Sequence, residues 1–478
     1  MQTEDDPPEP DPTLALTAVV LAAGRGTRMR SERPKVLHPL CGRAIAAHVL
    51  HALAESGVRR AVVVIPPDAA ADEIRAELDR DIPAVLELAY AVQPAPLGTA
   101  DAVRRAQPHV CTPEVLVVNG DLALLSPEQL RPLLQSADSA VSILTAEVDE
   151  PAQMGRIVRG PGDELSAIVE WRKATEAQRR IQEVNVGVYR FDSEYLWSAL
   201  DSSAPCTDAA SERYVTDVIA LAAREGRAEA ISATLPDGRL NVETLLDAAN
   251  AEATLRRRAC HQLLANGVRI TDPAAVWIDA RASIAAHSVI EPGSHIRGRT
   301  IVGARSTIGP AAVLEDAAIG EDCRLESCTI RDSTLANRVE VGPYSTIRPG
   351  CKLGEGVHIG THAELKNARL DAGVQVGHFS YLGDTDVGAR ANIGAGAITC
   401  NFDGERKHNT QIGEDAFIGS DTLLVAPIRV GPRARTGAGS VVTRDVPPDA
   451  NVVGSPARMT AGGRPRRPAA SQETEASL

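Results

Sequence analysis

Between residues 300 and 431 an aliphatic residue followed by glycine returns on a six-residue beat: Ile301-Val302-Gly303, Ile308-Gly309, Ile319-Gly320, Val341-Gly342, Ile359-Gly360, Val376-Gly377, Val387-Gly388, Ile393-Gly394, Ile412-Gly413, Ile418-Gly419 and Val430-Gly431. A six-residue period held for so long marks a parallel β-helix. Each coil has three six-residue sides, its aliphatic side chain points into the prism, and glycine or another small residue permits the turn. Strands of an ordinary sandwich do not keep such a register. The register breaks at the polar run from Cys400 through Asn401-Phe402-Asp403-Gly404 to Asn409. That run reads as a loop expelled from the solenoid, and such insertions often build binding sites.

Upstream of residue 270 the pattern differs. Short β-branched runs at Thr17–Leu21, Arg60–Ile65 and Glu114–Asn119 alternate with helical stretches at Arg43–Glu55 and Asp68–Asp79. This alternation predicts a mostly parallel sheet covered on both faces. The charged, Ala-rich stretch Val242–Asn266 reads as a connecting helix. The domains expected are therefore a disordered lead-in at 1–13, an α/β domain at 14–241, a linker helix at 242–266, a β-helix at 267–459 and a disordered Pro/Arg/Ser tail at 460–478.

Composition removes several function classes. The 478 residues exceed what one hydrophobic core usually organises. A net charge of -13 with 3% aromatic residues argues against nucleic acid as a partner. No apolar run approaches the ~18 residues of a membrane span. Met1–Pro12 is acidic and Pro-rich, lacking the basic flank and apolar stretch of a signal peptide, so the cytoplasm is the expected location. The 8 cysteines form no C-x-x-C pair and read as reduced, buried thiols.

The first strand runs into Leu21-Ala22-Ala23-Gly24-Arg25-Gly26-Thr27-Arg28-Met29, with Pro34-Lys35 close behind. Glycines let backbone N–H groups crowd an anion, and Arg28 and Lys35 add cations suited to phosphates. Neither G-x-G-x-x-G nor G-x-x-x-x-G-K-[ST] is present, which disfavours a dinucleotide-binding dehydrogenase and a P-loop NTPase. Asn119-Gly120-Asp121 ends a strand, where open α/β sheets bind ligands. In the second part, Arg348 and Lys366 lie 18 residues apart, one full coil, and so stack on one face as a phosphate clamp.

Leu21–Met29 with Pro34-Lys35-Val36-Leu37-His38 resembles the signature of sugar-1-phosphate nucleotidyltransferases. Joined to hexapeptide repeats, the chain resembles the bacterial bifunctional N-acetylglucosamine-1-phosphate uridyltransferases/glucosamine-1-phosphate acetyltransferases over roughly residues 14–456. The resemblance implies a Rossmann-like nucleotidyltransferase domain followed by a left-handed β-helix, in a homotrimer. It implies Mg²⁺ as cofactor, with UTP and acetyl-coenzyme A as co-substrates. Leu21, Ala22, Ala23, Gly24, Lys35, Gln93, Gly98 and Thr99 match nucleotide contacts. Gly155, Glu170 and Asn185 match residues that hold the N-acetyl sugar, and Asp121 and Asn241 match metal ligands. One carboxylate plus one amide oxygen suits Mg²⁺, which keeps waters and borrows phosphate oxygens. Arg28 and Lys35 would act on the phosphates. His378 matches the base that takes a proton from the attacking amine, a task suited to imidazole. Arg348, Lys366, Tyr381 and Asn392 match contacts to glucosamine-1-phosphate, and Ala395, Asn401, Phe402, Ser420 and Ala438 contacts to acetyl-coenzyme A.

The match has departures. Asn119 stands where the family commonly has tyrosine, Ala100-Asp101 where it has Gly-His, Val186 where it has threonine, and Val242-Glu243 where it has Asn-Arg. Phe402 replaces a tyrosine, and Ser455 stands near a position often held by arginine, with Arg458 or Arg464 as substitutes. Two other readings compete. In one, the β-helix is a bare platform for a nucleotidyltransferase, which would not need Arg348, Lys366, His378 and an extruded loop in register. In the other, both sites have decayed, which the presence of Lys35, Asp121 and Asn241 opposes.

Overall fold

A computed structural model of the chain describes residues 15–24, 26–136, 139–202, 212–235 and 240–459. The lead-in, the tail with Arg464, Arg25 and the Gly238-Arg239 step lie outside the described residues. The chain forms two compact units that divide between Arg256 and Arg257, within a helix at Leu245–Ala265.

The first unit is built on strands at Leu16–Leu21, Arg60–Ile65 and Glu114–Asn119, with helices at Ile45–Glu55 and Ala70–Arg80. The β-branched runs form strands because both faces of each strand are buried. Ala18 and Val20 pack with Ile45, Leu50 and Leu53 on one side, while Val19 packs with Val103, Phe191 and Leu196 on the other. Truncating a fully buried leucine such as Leu53 to alanine costs about 2–5 kcal/mol. The central path runs Ala228–Ser232, Val141–Glu147, Glu183–Asp192, Glu114–Asn119, Leu16–Leu21, Arg60–Ile65, Glu87–Val92. Its pairs are parallel except those of Glu183–Asp192, which runs against both neighbours. In register, Leu21 lies beside Asn119 and Val64, and Ile65 beside Val92. The carboxyl ends of four strands therefore share one edge, from which Ala22-Ala23-Gly24, Gln93 and Gly120-Asp121 emerge.

The second unit is a solenoid of two- and three-residue parallel strands. One side stacks Ile290, Ile308, Leu325, Val341, Ile359, Val376, Ile393 and Ile418 in register, all buried. These aliphatics are the beat visible in the sequence. Corners bring non-glycine residues into the left-handed region, among them Arg305, Asp322, Arg390 and Asp415. Arg305 pairs with Asp322 at 2.8 Å and Arg390 with Asp415 at 2.9 Å, one coil apart. Such exposed pairs contribute ~0–1 kcal/mol each, so stability rests on the aliphatic stack. The loop 401–409 leaves the solenoid between strands Ile398–Cys400 and Thr410–Ile412. It is a closed hairpin: His408 donates its N–H to the Asn401 carbonyl at 2.7 Å, and the Asp403 carboxylate accepts from the N–H groups of Glu405 and Arg406.

Candidate functional site

In the first unit, a cavity of about 480 Å³ is walled by Leu21, Ala23, Gly24, Arg28, Lys35 and Gln93, with Gly98, Thr99, Asn119 and Asp121 across from them. Ala22 lies between wall residues, its N–H donated to the Val64 carbonyl at 2.9 Å. Gly26 sits at φ 60, and a Cβ there would lie 2.4 Å from Lys35 Cβ, so glycine alone fits the turn that brings Lys35 in. Lys35 Nζ lies 2.5 Å from Asp121 Oδ2. Asp121 Oδ1 is buried and has no hydrogen-bond donor among the described residues. Arg28 pairs with Glu243, which lines the same cavity. The Gly98-Thr99 step is docked on the 213–215 backbone: Val215 donates its N–H to Thr99 Oγ1 at 2.9 Å, and a Cβ on Gly98 would collide with the Arg213 carbonyl.

A second cavity, of about 200 Å³, shares Thr99, Asn119, Asp121, Tyr214 and Glu243 with the first and is lined further by Gly155, Glu170, Asn185 and Asn241. Gly155 is the close-packed centre of this wall: a Cβ there would lie 3.6 Å from Asn185 Cβ and 3.8 Å from Glu170 Oε1. Asn185 accepts at Oδ1 from the Gly187 N–H and donates from Nδ2 to the buried Tyr189 hydroxyl at 2.8 Å, which fixes its amide. Burial pushes the Glu170 carboxyl above its usual range, offset by Lys173 nearby. The two cavities together can take a nucleoside triphosphate and a sugar phosphate on either side of Asp121. Tyr189 and Tyr214 also line this site, although neither period nor motif marks them in the sequence, and so does Glu243, which the sequence marks only as a departure from the family pattern.

In the second unit, His378, Ala395, Ser420 and Ala438 follow the corner glycines 377, 394, 419 and 437 and form one column. Their carbonyls bind the coil above: Gly396 N–H to His378, Asp421 N–H to Ala395 and Gly439 N–H to Ser420, at 2.7–2.8 Å. Asn392 stands on the prism side before this corner and Tyr381 on the side after it. Tyr381 Oη and Asn401 Nδ2 flank Gly383, a Cβ on which would lie 2.4 and 2.6 Å from them. Asn401 donates to Asp384 Oδ2 at 2.5 Å. Arg348 lies beside Lys366 in the ladder and is paired with Glu364 at 2.8 Å. Lys407 of the hairpin adds a third cation, and its charge pushes the Lys366 ammonium below its usual range, with Arg348 contributing. Lys407 escapes a sequence reading because only the hairpin fold turns it back. Phe402 is 59% exposed on that hairpin. Cys400 is half-buried, and burial pushes its thiol up, away from the thiolate a nucleophile would need.

The fold and these cavities define a chain that joins a nucleotidyltransferase to a hexapeptide-repeat transferase. Residues 18–188 match the family model of the MobA-like NTP transferase domain, and residues 332–367 match that of the bacterial transferase hexapeptide, six repeats. The chain is 41% identical over 447 residues to the bifunctional protein GlmU of Heliobacterium modesticaldum, covering 91% of this chain and 95% of the relative. It is 40% identical over 456 residues to that of Mycobacterium bovis, covering 91% and 90%. It is 41% identical over 452 residues to that of an Anaeromyxobacter species, covering 94% and 92%. The chain belongs to the family of bifunctional GlmU proteins. It is a bifunctional enzyme of UDP-N-acetylglucosamine synthesis, a glucosamine-1-phosphate acetyltransferase and an N-acetylglucosamine-1-phosphate uridylyltransferase in one polypeptide, with a left-handed β-helix as its second domain.

Proposed function

We propose that uridylyl transfer takes place within 14–241, at Asp121, and acetyl transfer within 267–459, at His378. The observation that carries the first assignment is the pair of Asp121 oxygens: Oδ2 engages Lys35, while Oδ1 is buried without a donor. A buried carboxylate oxygen with no partner is costly unless a cation meets it. Asn241 lines the same cavity, so the two would hold Mg²⁺. When bound, the ion neutralises charge on the triphosphate. Lys35 and Arg28 bind the phosphate oxygens, and Leu21–Gly24 leave room for the backbone to approach them. Gln93, Gly98 and Thr99 take the base, and Gly155, Glu170 and Asn185 the N-acetyl sugar. A sugar-phosphate oxygen then attacks the α-phosphorus of UTP, the bond to the β-phosphate oxygen breaks, and pyrophosphate leaves. The nucleophile is already an anion, so alignment and charge neutralisation supply the catalysis.

For acetyl transfer, Arg348, Lys366 and Lys407 hold the sugar phosphate, and Tyr381 and Asn392 the amino sugar. The amine attacks the thioester carbonyl, His378 takes the amine's proton, and the coenzyme thiolate leaves. Ala395, Ser420 and Ala438 form the corner along which the coenzyme lies, with Asn401 and Phe402 beside it. A homotrimer fits one further feature. Phe379 stacks on His362 with centroids 5.1 Å apart, Tyr344 meets the same ring tilted at 5.3 Å, and both Tyr344 and Phe379 are 66% exposed, next to His378. A second copy of the chain would cover this apolar ladder. The reading places the enzyme in the cytoplasm, and no described helix is long and apolar enough to cross a membrane.

The test is complementary loss. Asp121→Ala should abolish uridylyl transfer and leave acetyl transfer intact; His378→Ala should do the reverse. Loss of both activities in either variant would contradict two separate sites.

A further inference from the structure

Gln93 follows the strand Glu87–Val92, is 6% exposed, and lines the larger cavity of the first unit. Its backbone N–H is tied to the Ile65 carbonyl at 2.9 Å, so its Cα cannot drift. Its amide Nε2 lies 3.0 Å from the Gly98 carbonyl oxygen and 3.1 Å from Asp101 Oδ2. A carbonyl oxygen and an ionised carboxylate can only accept. The atom between them must therefore be the amide nitrogen, and chemistry alone fixes which way the Gln93 amide points. Its carbonyl oxygen is the edge left to the cavity.

Asp101 is the third residue of the helix Thr99–Ala106, and its carboxylate is nearly buried. Its other oxygen accepts from Arg105 Nη2 at 3.0 Å, one helical turn on. Arg105, Asp101 and Gln93 thus form a chain of charge-assisted bonds that ends in a fixed acceptor.

The geometry points to Asp101 as a positioning residue that selects the nucleobase by locking Gln93 with its carbonyl oxygen toward the base. This rests on the reading that Gln93 faces the base of the bound nucleotide. Uracil presents an N3–H donor where cytosine presents a bare N3 acceptor. A fixed acceptor pairs with the first and repels the second, and a site built around one hydrogen bond rejects the analogue that cannot make it. Without Asp101 only the Gly98 carbonyl holds the amide, and a flipped Gln93 would offer its N–H₂ group to cytosine.

The experiment measures kcat/KM for nucleotidyl transfer to N-acetylglucosamine-1-phosphate with UTP and with CTP, in the full-length chain. Asp101→Ala should lower the UTP/CTP ratio roughly ten-fold, the scale of one charge-assisted hydrogen bond. In a Gln93→Ala background the same substitution should leave the ratio where Gln93→Ala puts it, because Asp101 acts through Gln93. Asp101→Asn, which keeps the shape, should move the ratio in the same direction by less, and the first unit's urea unfolding transition in the same preparations reports an intact fold. An unchanged ratio in Asp101→Ala, with a changed one in Gln93→Ala, would overturn the proposal alone. An unchanged ratio in Gln93→Ala would overturn the reading of Gln93 beneath it, and the proposal with it.

Discussion

Lys35 Nζ lies 2.5 Å from Asp121 Oδ2, the lysine opening the short turn Lys35–Leu37 and the aspartate following the strand Glu114–Asn119, 86 residues apart in sequence. The contact pairs a half-buried carboxylate with a half-buried ammonium, and on the proposed reading it holds until a triphosphate and its cation arrive. Each residue therefore serves both the resting site and the reaction. Lys35→Ala should lower kcat for uridylyl transfer about 10²–10³-fold, the usual cost of removing one stabilising group. Lys35→Ala with Asp121→Asn should cost little more than the worse single change, since the two work as a unit. Single-turnover rates for all three proteins test this; additive losses would contradict a shared role.

Glu243 holds Arg28. If Arg28 binds phosphate as proposed, triphosphate must displace Glu243. Glu243→Gln should lower KM for UTP about two- to five-fold, in keeping with an ion pair whose arginine is largely exposed. A raised KM would show that Glu243 assists binding instead.

Lys407 and Arg348 both act on Lys366, Glu364 already pairs with Arg348, and on the proposed reading the sugar phosphate joins this cluster as a further anion. Lys407→Ala should raise KM for glucosamine-1-phosphate about ten-fold, with KM for acetyl-coenzyme A unchanged. An effect on the coenzyme instead would move Lys407 to the other substrate.

His48 is buried in the first unit, with Nε2 2.8 Å from the Leu40 carbonyl. Burial, the largest influence, pushes its pKa down to about 4 from an ordinary 6.5. The unfolded chain thus takes up a proton that the folded one refuses. Stability from this group is full above pH ~6.5 and is lost as pH falls toward ~4, on the order of 3 kcal/mol in all. Urea unfolding of the first unit's transition at pH 7.5, 6 and 5 should show the decline, and His48→Gln should flatten it. Equal slopes in both proteins would contradict the assignment.

The β-helix was legible because its core needs one aliphatic per side, a demand written directly into the residue order, whereas the corners also accept large residues such as Arg305 and Arg390 in the left-handed region. The first sheet was legible as β-branched runs, and the strand Arg60–Ile65 has the limits the sequence predicts. The antiparallel strand Glu183–Asp192 was not, because direction in a sheet is set by partners far away in sequence. The same reason hides the Arg28–Glu243 pair, whose members stand 215 residues apart, and the contact of Asp101 with Gln93, since the sequence marks Asp101 only as a departure from the family's Gly-His.

One chain carries both transfers, and mass spectrometry of products from the purified protein given glucosamine-1-phosphate, acetyl-coenzyme A, UTP and Mg²⁺ tests this most directly. UDP-N-acetylglucosamine, free coenzyme A and pyrophosphate should all accumulate. UDP-N-acetylglucosamine formed only when N-acetylglucosamine-1-phosphate is supplied ready-made would contradict the claim, leaving the β-helix a platform without chemistry of its own.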